Sequence, residues 1–267
     1  MNYPQSLPHS HKQLLSHILA VFTQDPRIVG IGASGSYASD TMDQYSDLDL
    51  VIAINPDDYA AVMEERFTLI EQLEGKVAAF TGEHVGEPRL VIALFAPHAL
   101  HVDFKFVALP DAAVRVDDTK VVWERDGQLS AIYAQSTPHY PCPTPQWVED
   151  RFWVWVHYAA TKIARGEYFE AVEFLSFLRG MVLSPLALQQ RGLTPSGVRH
   201  LEKRMPDVAS LLTETIVQPE KAPLIMAFEK IIAFYLTLRE REDVTIHHEA
   251  QALALAYFQH AFSVSEN

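Results

Sequence analysis

Apolar residues recur at helical spacing over residues 9–22, where Leu14, Leu15, Ile18, Leu19 and Phe22 share one side, and Pro26 closes the segment. Residues 28–33 form a short apolar run of strand character that enters a glycine-serine turn, Gly32, Ala33, Ser34, Gly35, Ser36. Residues 48–54 predict a second strand. Asn55 and Pro56 then open a helix, because Asn accepts an orphan amide bond and Pro suits the first turn. That helix carries Tyr59, Val62, Met63, Phe67, Ile70 and Leu73 on its buried side. Residues 89–95 and 101–109 predict two further strands, divided by the turn Ala96, Pro97, His98.

The pattern changes where prolines stand at 138, 141, 143 and 145, a composition typical of a boundary between packing units. Beyond it the periodicity predicts helices over 147–165, 169–188, 206–217, 222–239 and 247–262. Trp147, Trp153, Trp155, Tyr158, Phe169, Phe174 and Phe177 are expected to pack these helices together. The fold class expected is α+β: an N-terminal domain over 1–140, followed by an all-helical domain over 141–267.

With 267 residues, 48% of them hydrophobic, the chain has the material for a proper core, which argues against disorder as its main state. Its 21 basic and 34 acidic residues leave a formal net charge of -13, so most of the surface repels a polyanion and extended nucleic-acid binding is not expected. Cys142, the single cysteine, excludes a disulfide framework within the chain and reads as a linker residue. The N-terminus shows neither a basic region nor an apolar one of signal-peptide type, and no uninterrupted apolar run approaches the roughly 20 residues that cross a bilayer. A cytoplasmic protein with no membrane partner is expected, as a monomer or homodimer.

The informative chemistry is a carboxylate pair, Asp47 and Asp49, within Ser46, Asp47, Leu48, Asp49, Leu50. Strand side chains alternate faces, so both carboxylates point one way while Leu48 and Leu50 enter the core. Two such groups repel one another, and a hard divalent cation relieves the conflict; Mg²⁺ suits it because it takes oxygen ligands shared between carboxylates and phosphates. A later strand repeats the alternation, with His101, Asp103 and Lys105 on one face and Val102, Phe104 and Phe106 on the other. If the two strands are neighbours, Asp103 completes a triad able to hold one or two ions or to accept a proton. An isolated Asp-x-Asp usually decorates a strand end; here a glycine-serine turn precedes it and a second acidic strand follows.

Gly35 and Ser36, then ten residues, then Asp47, Leu48, Asp49 resemble the signature of the nucleotidyltransferase superfamily that includes polymerase beta. The run Gly35, Ser36, Tyr37, Ala38 and the block Ser46 to Leu50 look most like the bacterial aminoglycoside and lincosamide nucleotidyltransferases. The resemblance implies a mixed β-sheet with flanking helices, phosphate contacts at Gly35 and Ser36, metal binding by Asp47 and Asp49, and Asp103 as third carboxylate. His157, Tyr158, Lys162, Arg165, Gly166 and Glu167 resemble the start of the helical domain in small-molecule members, which implies that Lys162 and Arg165 meet the triphosphate. Relatives often carry glycine where this chain has Asp40.

The function implied is Mg²⁺-dependent transfer of a nucleoside monophosphate, from ATP or another nucleoside triphosphate, to a hydroxyl of a small-molecule acceptor such as an aminoglycoside-like antibiotic. The alternatives are a protein or RNA acceptor, or a regulatory module that binds nucleotide without catalysis. Glu83 and Glu87 are expected to bias the acceptor cleft toward a cation.

Overall fold

The structure is a computed structural model that describes residues 3–263. The chain divides into two compact units, Met1–His139 and Tyr140–Asn267.

The first unit is built on six strands. In chain order it runs α1 (His9–Phe22), β1 (Ile28–Ala33), the single-turn α2 (Gly35–Ala38), β2 (Leu48–Ile54), α3 (Tyr59–Glu71), β3 (Lys76–Gly82), β4 (Glu87–Phe95), β5 (Leu100–Ala108), β6 (Lys120–Glu124) and α4 (Gln128–Ala134). The sheet order is β3-β4-β5-β2-β1-β6. β2 and β5 are parallel, whereas the other four neighbouring pairs are antiparallel. β3 and β6 go beyond the strands expected from the sequence.

Alternation sets the two faces. Leu48, Leu50, Val102, Phe104, Val91 and Phe95 are buried on one face and pack with Leu15, Ile18 and Phe22 of α1 and Val62, Leu69 and Ile70 of α3. Burying each large apolar side chain is worth about 1.5–3 kcal/mol, so this layer is the main support of the sheet. The opposite face divides along its length. Ala53 and Val107 are covered together with Leu129 of α4, and a Cβ on Gly30 would sit 2.9 Å from the Leu129 side chain, so the strand needs glycine there for the helix to seat. The other end of this face carries Asp49 and Asp103.

The second unit contains α5 (Pro145–Ala164), α6 (Tyr168–Phe177), a π-helical turn (Leu178–Leu183), α7 (Ser184–Gln190), α8 (Leu201–Arg204), α9 (Pro206–Thr213), α10 (Lys221–Arg239) and α11 (His248–Ser263). Thr144 starts α5 by accepting from the Trp147 amide, and Pro145 fills the first turn. The helix expected over 169–188 is thus interrupted by a wider turn. The continuous helical stretch Tyr168–Gln190 is long and apolar enough to cross a membrane by length and composition, yet Leu175, Leu178, Val182, Leu183 and Leu186 lie in the core of this unit.

Trp153, Phe152 and Tyr235 form an aromatic centre, with Phe152 stacked on Tyr235 at 3.7 Å. Glu149 is buried beside it. Its carboxylate accepts from Trp153 Nε1 (3.1 Å), Tyr235 Oη (2.5 Å), the His247 amide (3.0 Å) and Arg239 Nη1 (3.3 Å), bonds that together hold its pKa below the ordinary value although burial alone would raise it. Phe169, expected in the core, is 81% exposed.

Candidate functional site

Asp49 and Asp103 are register partners across the parallel β2–β5 pair, so both side chains stand on the same face of the sheet. Leu48 and Leu50 are fully buried on the other face, as the alternation requires. Asp103 is half-buried, and His101 Nε2 is hydrogen-bonded to its Oδ1 at 2.8 Å. Burial raises the Asp103 pKa; the His101 contact opposes that rise and the nearby charge of Asp47 adds to it. Asp47 immediately precedes β2 and acts electrostatically on Asp103, which ties the third carboxylate to the same region.

The approach to Asp47 is fixed from beneath. His11, completely buried in α1, hydrogen-bonds through Nε2 to the Ser46 carbonyl at 2.7 Å. Sequence reasoning missed His11, because its partner is a backbone oxygen 35 residues away. The turn before α2 is equally constrained. Gly35 has φ +58, a left-handed conformation that favours glycine, and a Cβ there would lie 2.5 Å from Asp49 Oδ2. The Ser36 hydroxyl is buried without a hydrogen-bond partner, leaving a donor available to a ligand.

Asp40, the departure from glycine, also adopts a positive φ of 56. Asp tolerates that conformation better than most residues. Its carboxylate accepts from the Ser6 amide (2.9 Å) and the Ser6 hydroxyl (2.7 Å), while Ser6 Oγ accepts from the Met42 amide (3.0 Å). Asp40 thus fastens the N-terminal segment to the loop between α2 and β2.

As to a metal, Asp47, Asp49 and Asp103 offer hard carboxylate oxygens, the donor type that Mg²⁺ takes, and the orphaned Ser36 hydroxyl and the side-chain-free Gly35 leave polar room beside Asp49. The donor chemistry fits. Among the described residues, however, no group of three or more His, Cys, Asp or Glu side chains is close enough to hold an ion as the side chains stand. Asp103 is turned toward His101 instead.

Lys162 and Arg165 belong to the second unit. Lys162 lies between Glu167 (2.7 Å) and Glu170 (3.1 Å), and its ammonium sits 5.1 Å from the Tyr158 ring. Tyr158 also hydrogen-bonds to Glu170. Arg165, two-thirds exposed at the C-terminal cap of α5, stands 3.9 Å from Glu167. Lys162 is therefore already compensated by local carboxylates. Glu87, expected to bias an acceptor cleft toward a cation, is paired with Arg89 (2.7 Å) and Lys105 (3.0 Å), which depress its pKa to about 2. Glu83 accepts from the Thr81 hydroxyl.

Two cavities of about 450 and 410 Å³ lie elsewhere: one inside the helical unit beside Gln190 and Phe234, the other beside Phe22 and Glu65. Neither is lined by the carboxylates, which stand on a sheet face.

Residues 15–93 match the family model described as a nucleotidyltransferase domain. The matched residues lie within the first unit and span α1 through most of β4. The matched segment includes the Gly35 turn and the Asp47–Asp49 pair and ends before Asp103. A comparison with curated protein sequences finds no match. Among solved structures, an aminoglycoside 6-adenyltransferase from Bacillus subtilis is 14% identical, aligned over 94% of this chain and 98% of its own, with a TM-score of 0.40. A nucleotidyltransferase-like protein from Exiguobacterium sibiricum is 15% identical, aligned over 91% of this chain and 78% of its own, with a TM-score of 0.38.

Proposed function

We propose that the first unit catalyses transfer of a nucleoside monophosphate, from ATP or another nucleoside triphosphate, to a hydroxyl of a small molecule. The observation that carries this reading is the in-register pair Asp49 and Asp103 on one sheet face, with Gly35 held against Asp49. In the step, the acceptor oxygen forms a bond to the α-phosphorus, the bond from that phosphorus to the bridging oxygen of the β-phosphate breaks, and pyrophosphate leaves. The acceptor proton passes to Asp103, whose raised pKa makes it a better base than an ordinary surface carboxylate. Asp47 and Asp49 would hold Mg²⁺, which when bound would compensate the triphosphate charge. Ser36 Oγ donates to a phosphate oxygen, and the bare Gly35 backbone lets that oxygen approach.

The chain's own contribution is alignment and charge placement, the two effects on which catalysis of phosphoryl transfer chiefly depends. Replacing Asp49 or Asp103 by Asn keeps the shape and removes the charge. Pyrophosphate release is measured with ATP, GTP, CTP and UTP against hydroxylated acceptors, alongside thermal unfolding. Loss of release in both variants with unfolding preserved supports the reading; full release in both overturns it.

A further inference from the structure

The register that pairs Asp49 with Asp103 continues across two more strands. Asp103 is opposite Ile92 on β4, and Ile92 is opposite Phe80 on β3. One row therefore runs Asp49, Asp103, Ile92, Phe80 across β2, β5, β4 and β3 on a single face. The neighbouring row adds Leu94 opposite His101, with Ala78 beyond it.

This half of the face is apolar and open. Leu94 is 40% exposed and Phe80 51%, although strand residues of this kind are normally covered. The reverse face beneath them, Val91, Ala93 and Phe95, is buried, so the exposure does not come from a loose sheet. The His84 ring, 5.7 Å from that of Phe80, extends the surface at its outer end.

We propose that Ile92, Leu94 and Phe80 form a shelf that binds the acceptor, and that the acceptor is an uncharged, hydroxylated ring compound with an apolar ring face. The inference rests on the transfer reading for its link to chemistry. Strand spacing of about 4.8 Å sets the scale: Phe80 stands roughly 10 Å across the sheet from Asp103, a length that one or two rings span. Such a molecule lays its apolar face on Leu94 and Phe80 while its hydroxyl reaches Asp103. An aromatic ring and branched aliphatic side chains together favour a flat apolar surface.

On the flank of the shelf Glu87 is matched by both Arg89 and Lys105, so that carboxylate is not left to recruit a cationic acceptor. The shelf is continuous with the carboxylates and only two strands wide, which favours a small molecule over a protein surface.

The probes are 4-nitrophenyl β-glucoside, which joins a flat aryl ring to hydroxyls, and free glucose, which lacks the ring. Each is titrated into the full chain while methyl NMR signals of Ile92 and Leu94 are followed, a readout that needs no turnover. We expect the aryl glucoside to shift both signals and to bind at least tenfold more tightly than glucose. Phe80→Asp and Leu94→Asp each lower that affinity at least tenfold, while Val116→Asp, an equally exposed apolar position outside the shelf, leaves it unchanged. Thermal unfolding and light scattering accompany each variant.

Absence of shifts up to the solubility limit, equal binding of the two probes, or unchanged affinity in Phe80→Asp overturns the shelf. A fall in assembly mass in Phe80→Asp assigns the surface to contact between copies and overturns it too. Wild-type pyrophosphate release separates the two proposals: shelf binding that persists while release is absent with every triphosphate defeats the transfer reading and leaves the shelf standing.

Discussion

Gly35 leaves Asp49 the space that any side chain would take: a Cβ at that position would sit 2.5 Å from Asp49 Oδ2. Because Gly35 also has φ +58, alanine there is both strained and crowded. Gly35→Ala is predicted to cost about 1–2 kcal/mol from backbone conformation alone. Its larger effect falls on activity, through displacement of the Asp49 carboxylate. Urea unfolding and pyrophosphate release, measured together, test this; a Gly35→Ala variant with wild-type turnover would show that Asp49 does not depend on the turn.

His11 holds the Ser46 carbonyl one residue before Asp47. His11→Leu fills a similar volume but leaves that carbonyl without its donor, a loss on the order of 1–3 kcal/mol for a buried group. We predict a lower Tm and a fall in kcat, with His11→Gln recovering part of both because its amide still donates. If His11→Leu and His11→Gln behave alike in both assays, the hydrogen bond is not what positions Asp47.

The Glu87 carboxylate, held at about 2 by Arg89 first and Lys105 next, gives a pH dependence of fixed sign. A depressed carboxyl pKa means stabilisation that is complete above the ordinary value of 4.5 and is lost as pH falls toward about 2. The stability difference between the wild type and Glu87→Gln should therefore be constant at pH 6 and 7 and clearly smaller at pH 3. Urea midpoints at the three pH values provide the check, and an identical difference throughout would remove the ion cluster as its cause.

In the helical unit, Glu149 gathers donors from α5, α10 and the segment leading into α11. Glu149→Ala orphans Trp153 Nε1, Tyr235 Oη and the His247 amide together and leaves Arg239 without its carboxylate. The predicted loss is on the order of 3–5 kcal/mol, the range for breaking a buried charge pair. Calorimetry of the full chain measures it; a shift in unfolding corresponding to less than about 1 kcal/mol would mean that water takes over the orphaned donors.

The face on which Asp49 and Asp103 stand was legible because strand alternation has a period of two. Asp47 and Asp49 around Leu48, and Asp103 between Val102 and Phe104, display their faces without any coordinates. Prolines 138, 141, 143 and 145 flank the division between the two compact units at His139 and Tyr140. β3 was not legible. It is an edge strand whose exposed Val77, Ala78 and Phe80 follow no clean alternation, and a register shift between Lys76 and Ala78 blurs it further. Without β3, the alignment of Phe80 with Asp103 could not be read. Asp40 was visible as a departure, but its bond to Ser6 spans 34 residues and belongs to tertiary structure alone. The neutralisation of Glu87 was hidden similarly, since Lys105 reaches it from the adjacent strand.

In this sheet the strands β3 and β4 are inserted in the chain between β2 and β5, yet they lie outside that pair in space. The hairpin can therefore lengthen, shorten or change its residues while β2 and β5 stay side by side. A change of side chain on that hairpin therefore need not disturb the parallel pairing that sets Asp49 beside Asp103.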